Sequence, residues 1–543
     1  MSIIDDITQH DIKQTTVKRI TYSSTGYFSK LVSDYLDEDE KLQPFYKHPV
    51  SLEGIKASIE ARKSFNTDRE LLAKSLFEQY EGIELNERQK QNIQLLTGNN
   101  TFTITTAHQP NLFTGPLYFI YKILHAIKLV DELNKTLPEY HFVPVYYMGS
   151  EDADIDELGF INLNGDKLAW NTTQTGAFGR MKIDKDLHVL IDKIKGQIGI
   201  FPYGNELISL FRKCYSIGKT IQQATLELVN DLFADYGLLV VIPDNAALKA
   251  SFSPIIKKEL TEQFSKKAVS ATLSELNKHY KVHAAGRDIN LFYLLEDKRE
   301  RIELGKTGFT VEALNITWTL PDILAELENH PERFSANVIL RGLFQETILP
   351  NIVFIGGGGE LAYWLELKKV FEATSVPYPM LILRNSFLLV KEKIATRIDK
   401  LGFKIDNFFD TERSLVNQLV NKNSSHKLSL NNEVKQIEEL YHQIKMESMK
   451  VDPTLAIHIE ALEKAAVKKL IDLEKKILKA EKRKFINEQH QIAHIKEALF
   501  PKNNLQERTD NFSTIFAMEG KEWLNTIYHF SDGLKQEFSI LTF

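Results

Sequence analysis

A β-branched run, Thr101-Phe102-Thr103-Ile104-Thr105-Thr106, enters a polar loop, Ala107-His108-Gln109-Pro110-Asn111-Leu112-Phe113-Thr114-Gly115-Pro116-Leu117-Tyr118. The chain leaves that loop with apolar residues at helical spacing (Ile120, Ile123, Leu124, Ile127). This change of period predicts strand, loop, helix. Thr114 is the expected N-cap, with Pro116 near the first helical position, where its missing N–H costs nothing. Unpaired N–H groups at such a helix start suit a phosphate or carboxylate. His108, Gln109 and Asn111 add side-chain donors, which makes this loop the leading candidate site. It is not a P-loop, because no Gly-Lys-Ser/Thr follows, and its single glycine does not make a dinucleotide fingerprint. Read alone, it is an ordinary strand–turn–helix connection, and the rest of the chain gives it weight.

The same pattern recurs. Phe142 to Gly149 and Gly237 to Asp244 are continuous apolar runs that end in acids. Asn351 to Ile355 runs into Gly356-Gly357-Gly358-Gly359 and a helix expected from Glu360 to Phe371, and Pro379 to Leu383 ends at Arg384-Asn385-Ser386. Such runs alternating with helices predict an α/β fold with an open parallel sheet. Two insertions, about 160–235 and 245–335, interrupt it. The first is read as β-rich over 160–200, where Gly165, Gly176 and Gly179 fall, followed by a helix from Leu207 to Asp235. The second contains a hairpin around Glu296-Asp297. Residues 1–100 read as mostly helical and are expected to cover one face of the sheet. Ligands of open α/β sheets bind beyond the strand C-terminal ends, so the loops 107–116, 149–156, 356–360 and 384–386 are expected to converge there.

Residues 387–500 show no strand-like run and are dense in Lys and Glu. Leu430, Val434, Ile437, Tyr441 and Ile444, and then Ile459, Leu462, Ala466, Leu470, Leu473, Ile477 and Ala480, repeat every three or four residues as coiled-coil seams. Asp452-Pro453 breaks the helix between them. An antiparallel helical hairpin that pairs in a homodimer is expected, with the tail from Pro501 to Phe543 folding back on the main body. The organisation is therefore a core over 1–386 and a helical coiled-coil domain over 387–543.

A net charge of −6 over 543 residues argues against a dedicated nucleic-acid binder. The one cysteine, Cys214, excludes an internal disulfide framework and any multi-cysteine metal site, and it reads as a small buried hydrophobe rather than a catalytic thiol. The start, Met1-Ser2-Ile3-Ile4-Asp5-Asp6, has no basic region or long apolar run, and no segment has the apolar length of a membrane helix. A cytoplasmic protein with neither nucleic-acid nor membrane partners is expected.

Glu151, Asp152, Asp154, Asp156 and Glu157 put five acids within seven residues of a buried strand. A solvated acidic turn is the plain reading. Acids at the C-terminal edge of a sheet also suit an amine, a ribose or Mg²⁺, and one carboxylate, raised by its neighbours, suits a general base. The run Gly356, Gly357, Gly358 and Gly359 lets backbone approach a ligand, although Leu361 stands where a fingerprint needs its third glycine. Glu360, Tyr363 and Trp364 follow in the first helical turns, Trp364 reading equally as core. Asn337, Arg341 and Arg384 offer donors to carboxylate or phosphate. His490-Gln491-Ile492-Ala493-His494 lacks the Glu of a zinc-protease motif, and no metal-ligating set is expected.

Thr114-Gly115-Pro116-Leu117-Tyr118 with Lys122, Gly149-Ser150-Glu151-Asp152-Ala153-Asp154, Arg341 to Glu346, Gly356 to Trp364 and Leu505-Gln506-Glu507-Arg508 together resemble the bacillithiol-biosynthesis cysteine-adding enzyme family. The matches run in order along the whole length. The resemblance implies a Rossmann-like core akin to class I aminoacyl-tRNA synthetases, connecting insertions and a dimerising C-terminal coiled coil. It also implies a ligase that joins the cysteine carboxyl group to the amine of glucosaminyl-malate, with ATP activating the carboxyl and Mg²⁺ admissible beside it. This chain departs from the family pattern with Ala107-His108-Gln109 for Gly-Gln-Gln, Asn111 for Gly, Ala153 for His, and Gly342 and Gly358 for Pro. It also lacks a Lys-Met-Ser-Lys-Ser sequence after the last strand.

On this reading an anionic group rests on the loop from His108 to Gly115, with Tyr118 and Lys122 behind it. Glu151, Asp152 and Asp154 hold substrate amines, one of them acting as base. Arg341 and Arg384 neutralise developing charge, with Asn337 beside them. The glycine run, with Glu360, Tyr363 and Trp364, admits the nucleotide or sugar. Two alternatives are an ATP-dependent adenylate-forming ligase of the same fold acting on another amino acid and amine, and a non-catalytic nucleotide-binding dimer.

Overall fold

Strands rich in Val, Ile and Thr with no polar face must be covered on both sides, and the chain lays them side by side. A computed structural model describes residues 15–281, 286–306 and 308–543, so the reading of the first residues lies outside the described ones. The central sheet contains β1 (Thr101–His108), β2 (His141–Met148), β3 (Leu239–Val241), β4 (Asn351–Gly356) and β5 (Met380–Leu383). All four pairings are parallel, and the spatial order is β5-β4-β1-β2-β3. The order reverses between β1 and β4, the switch point at which the loops after two neighbouring strands diverge and leave a crevice.

Central β1 buries four threonines, and the hydroxyls of Thr103, Thr105 and Thr106 find partners inside the sheet. Thr106 Oγ1 donates to Ile355 O at 2.9 Å, and Thr103 Oγ1 to Asn351 Oδ1 at 3.2 Å. One face of the sheet packs Ile104, Phe142, Val353 and Ile382 against Ala126, Leu129 and Val130, and the same cluster takes in Ile55 and Ile59. Those last two belong to the helix Leu52–Lys63, one of the helices that precede the sheet.

Helix α1 (Tyr118–Thr136) starts later than the sequence predicts. Leu117, not Thr114, is its N-cap. Phe113 and Thr114 adopt left-handed backbone (φ 48° and 71°), which holds a short 3₁₀ turn over Leu112–Thr114 apart from the helix. The tail then closes this corner. The Leu117 N–H donates to Asp510 O at 2.8 Å, and Asn511 Nδ2 donates to the carbonyls of Phe113 (2.9 Å) and Gly115 (2.6 Å). Residues 504–541 belong to the same compact unit as residues up to 388.

The first insertion is more helical than expected. After the antiparallel pair Phe160–Leu163 and Asp166–Ala169 come helices Lys185–Ile198, Gly204–Cys214 and Ile221–Phe233, so the helix expected from Leu207 to Asp235 is two. The second insertion contains α2 (Ala246–Glu262) and a hairpin of Leu291–Leu294 with Arg299–Arg301. The strand Phe334–Ala336 adds to that hairpin, and α3 (Val338–Ile348) follows it. After β4, α4 (Gly358–Trp364) ends early and Lys368–Glu372 forms a separate helix.

The buried run Ser386–Val390, where no strand is expected, is a strand because it pairs with the distant strand Phe538–Thr542. The second compact unit, Leu389–Asn503 with Thr542–Phe543, is mostly helical. Its α5 (Asn431–Met449) and α6 (Leu455–Lys482) form a hairpin, tied by Lys445 Nζ to Glu460 at 2.5 Å. The hairpin leaves most of its apolar residues partly or fully exposed. No residue of α5 is buried, α6 buries only Ile459 and Glu481, and Leu440, Leu462 and Leu473 are 52%, 44% and 47% exposed. No helix among the described residues is long and apolar enough to cross a membrane.

One buried ion pair fastens the covering helix Leu52–Lys63 to α3. Arg62 bonds Glu346 Oε2 and Glu346 O, both at 2.7 Å, and Pro377 O at 3.2 Å, with both side chains almost wholly buried. Removing one partner of such a pair strands a charge, so Arg62→Ala is expected to cost about 3–5 kcal/mol, read as a lowered midpoint of chemical denaturation.

Candidate active site

The C-terminal ends of β2 and β3 open into a cavity of about 390 Å³. From the β2 end come Glu151 and Asp152, from the β1 loop Gln109, from α3 Arg341 and its N-cap Asn337, and from the second insertion Phe292, Arg287, Arg299 and Arg301. Asp152 accepts from Gln109 Nε2 at 3.1 Å and from the Ala153 N–H at 2.8 Å, so its carboxylate is oriented from two sides. Arg341 Nη2 lies 3.3 Å from Tyr363 Oη, and a Cβ on Gly149 would stand 3.4 Å from Arg341 Nη1.

Glu151 anchors a chain of alternating charges that the sequence did not reveal. Its Oε2 accepts from Ser335 Oγ at 2.8 Å, and Ser335 in turn accepts from Arg299 Nε at 3.0 Å. Its Oε1 pairs with Lys249 of α2, a lysine only 2% exposed. Lys249 lies 3.7 Å from Asp244 beyond β3 and donates to Glu332 O at 2.7 Å. Asp244 is held bidentate by Arg180 (2.6 and 2.7 Å), and Arg180 also donates to Leu295 O at the hairpin turn. Burial acts to raise the Asp244 carboxyl, but Arg180 and Lys249 outweigh it and hold it below its ordinary range.

A second cluster surrounds the switch point. Lys122 donates to Ala107 O at 2.9 Å and pairs with Glu360, which accepts the Gly357 N–H at 2.8 Å. Arg384, beyond β5, bonds Glu507 of the tail at 2.7 Å and lies over the Tyr118 ring, 5.0 Å from its centroid. Nε of Arg384 and Nε2 of His108 are buried with no hydrogen-bond partner among the described residues. Burial first, then the charges of Lys122, Arg341 and Arg384, push the His108 imidazole well below its ordinary value, so it is neutral at pH 7. Gly356 is needed for packing, because a Cβ there would lie 2.8 Å from the Phe354 ring.

The candidate residues therefore divide. Gln109, Glu151, Asp152, Asn337 and Arg341 share the main cavity, while His108, Tyr118, Lys122, Gly357, Glu360 and Arg384 share the switch point. Asn111, Gly115 and Tyr118 line a separate cavity of about 190 Å³ with Glu157 and Arg508. Gly359 and Tyr363 line another, of about 660 Å³, with Tyr280 and Glu366. Gly358 packs near Phe28 and Val32. Thr114 is buried at the corner closed by the tail, and the N–H groups of Leu117, Phe119 and Ile120 at the helix start are taken by the carbonyls of Asp510, Pro116 and Leu117. Asp154 is exposed and caps the short helix Ile155–Leu158 by accepting the Glu157 N–H at 3.1 Å. Trp364 is core: it stacks on Phe354 with centroids 4.3 Å apart. Cys214 is buried, and burial, followed by Glu227 and Asp231, pushes its thiol up to about 12. Lys249, Arg180, Arg287, Arg299 and Arg301 escaped the sequence reading. The acid after β3 and the alternation Arg299-Glu300-Arg301 were the available signals.

A histidine kept neutral in the fold but free to take a proton when unfolded contributes stability above pH 6.5 that is lost as pH falls below that value. Between pH 7.5 and 5, His108→Gln is expected to lose less thermal stability than the unsubstituted protein. Equal losses contradict the assignment.

The family model for the bacillithiol biosynthesis BshC N-terminal Rossmann-like domain matches residues 15–385, and that for the BshC C-terminal coiled-coil domain matches residues 387–543. Relatives named "Putative cysteine ligase BshC" include one from Flavobacterium johnsoniae, 40% identical over 526 residues, covering 96% of this chain and 99% of its own. Another, from Christiangramia forsetii, is 40% identical over 531 residues, covering 96% of this chain and 98% of its own.

Proposed function

The chain belongs to the bacillithiol biosynthesis BshC family, and from that premise we propose that it is a ligase that forms an amide between the cysteine carboxyl group and the amine of glucosaminyl-malate. The observation that carries this reading is the main cavity, in which two carboxylates face a set of arginines. An amine nucleophile needs a carboxylate to hold its ammonium form and take up a proton as the carbon–nitrogen bond forms. Asp152 suits that role, because Gln109 and the Ala153 N–H orient it while Glu151 is committed to Lys249 and Ser335. Arg341, across the same cavity, suits the acyl oxygen as its charge develops.

We assign ATP to the switch point as the co-substrate that activates the cysteine carboxyl. Arg384 and His108 each keep a buried nitrogen there with no hydrogen-bond partner among the described residues. Arg384, Lys122 and the backbone at Gly357 are the groups that would hold its phosphates. The apolar residues left exposed on α5 and α6 support a homodimer through the coiled coil. Light scattering is expected to give twice the chain mass of 62.4 kDa, and Leu440→Glu with Leu462→Glu to give one chain mass.

The direct test is mass spectrometry of purified protein with cysteine and glucosaminyl-malate, with and without ATP. Bacillithiol is expected only in the tube with ATP. Absence of product in both tubes overturns the assignment. Asp152→Asn is expected to lower turnover by about 10²–10⁴-fold, the range for losing a general base, with thermal stability retained. Retained turnover removes Asp152 from its role.

A further inference from the structure

The hairpin of the second insertion puts positive charge into the main cavity in excess of its acids. Alternation along a strand turns Arg299 and Arg301 to one face, and the register sets Phe292 directly opposite both Arg301 and Ser335. The Phe292 ring lies under both guanidiniums, 4.0 Å from Arg299 and 5.5 Å from Arg301. Arg299 is fixed by Ser335 Oγ (3.0 Å) and Ala336 O (3.2 Å). The guanidiniums of Arg301 and Arg287 have no hydrogen-bond partner among the described residues. With Arg341, four arginines face two acids, and Glu151 is already paired with Lys249. Burial first and Arg287 next lower the Arg301 pKa, whereas for Arg299 burial leads, Glu151 and Asp152 oppose it, and Arg341 and Arg301 add to the lowering. Clustered like charges over an aromatic ring, with open donors, are stabilised by an incoming dianion.

We propose that Arg287, Arg299 and Arg301 form the acceptor-recognition site, holding a ligand arm with two carboxylates while its amine faces Asp152. Two guanidiniums over one ring present two separate forks, which suit two carboxylates set a few atoms apart. Arg299 and Arg301 stand on a β-hairpin, and the α3 N-terminus that lines the same cavity has its Ile339 and Leu340 N–H groups taken by Asn337 Oδ1 at 2.9 and 3.4 Å. The hairpin is pinned where its task needs it: Arg180 ties its turn to Asp244, and Thr175 Oγ1 donates to Asp297 O at 3.0 Å. The inference rests on the ligase reading for the identity of the acceptor, but not for the presence of the anion site.

Calorimetric titration of the full chain with L-malate, succinate, acetate and inorganic phosphate tests it, alongside Arg301→Gln and Arg301→Lys. The two dicarboxylates are expected to bind and acetate and phosphate to bind weakly. Arg301→Gln is expected to weaken dicarboxylate binding about tenfold to a hundredfold, the range for losing a charge-assisted pair. The KM for the acceptor should rise in step, with the smaller part of the loss in kcat, and Arg301→Lys should restore part of it. Phosphate binding in place of the dicarboxylates, or unchanged dicarboxylate affinity in Arg301→Gln, overturns the site. If malate binds through Arg301 but no amide forms, the ligase assignment fails and the site stands. If amide forms and Arg301→Gln leaves KM unchanged, the site fails and the assignment stands.

Discussion

The ammonium of Lys249 is the contact on which the cavity depends. A charge taken out of water costs several kcal/mol unless partners replace the lost hydration, and Lys249 is almost fully buried between Glu151 and Asp244. Those acids stand beyond the ends of β2 and β3. Through Arg180, Ser335 and Arg299 the same chain of charges reaches both insertions. The sheet alone would leave two carboxylates at its edge. With Lys249 between them, the strand ends, α2 and the hairpin set one another's positions, and Asp152 is left beside them with its own partners.

The switch point is built on the same rule with a different helper. Arg384 lies deep beyond β5 and needs a carboxylate, which arrives from Glu507 in the returning tail. That tail also takes the Leu117 N–H. The C-terminal segment therefore completes the sheet's crevice after the chain has passed through the coiled-coil unit. Lys122 and Glu360 pair across the reversal of strand order, joining α1 to the start of α4.

Much of this was legible in the sequence. Four strands were marked by continuous apolar runs and β1 by a β-branched one, and the acids and glycines that follow several of them marked the cleft side. The hairpin around Glu296-Asp297 and the helical pair either side of Asp452-Pro453 also followed from local pattern. What escaped was set by distant partners. The left-handed turn at Phe113 and Thr114 moved the start of α1, and Asp510, nearly four hundred residues away, took the N–H expected for an anion. Trp364 went to the core because Phe354 offered its ring. Lys249 gave no signal, since a lysine in an amphipathic helix reads as solvated until the fold buries it. Asp154, in the same acidic run as Asp152, became a helix cap one turn away from the cavity.

On the proposed reading the acceptor amine is acylated at the β2 edge, between Asp152 and Arg341, and a crystal structure of the full chain with glucosaminyl-malate bound is the decisive measurement. The amine nitrogen is expected within hydrogen-bond reach, about 3 Å, of the Asp152 carboxylate. An amine seated against Lys122 and Glu360 at the switch point, or outside the main cavity, contradicts it.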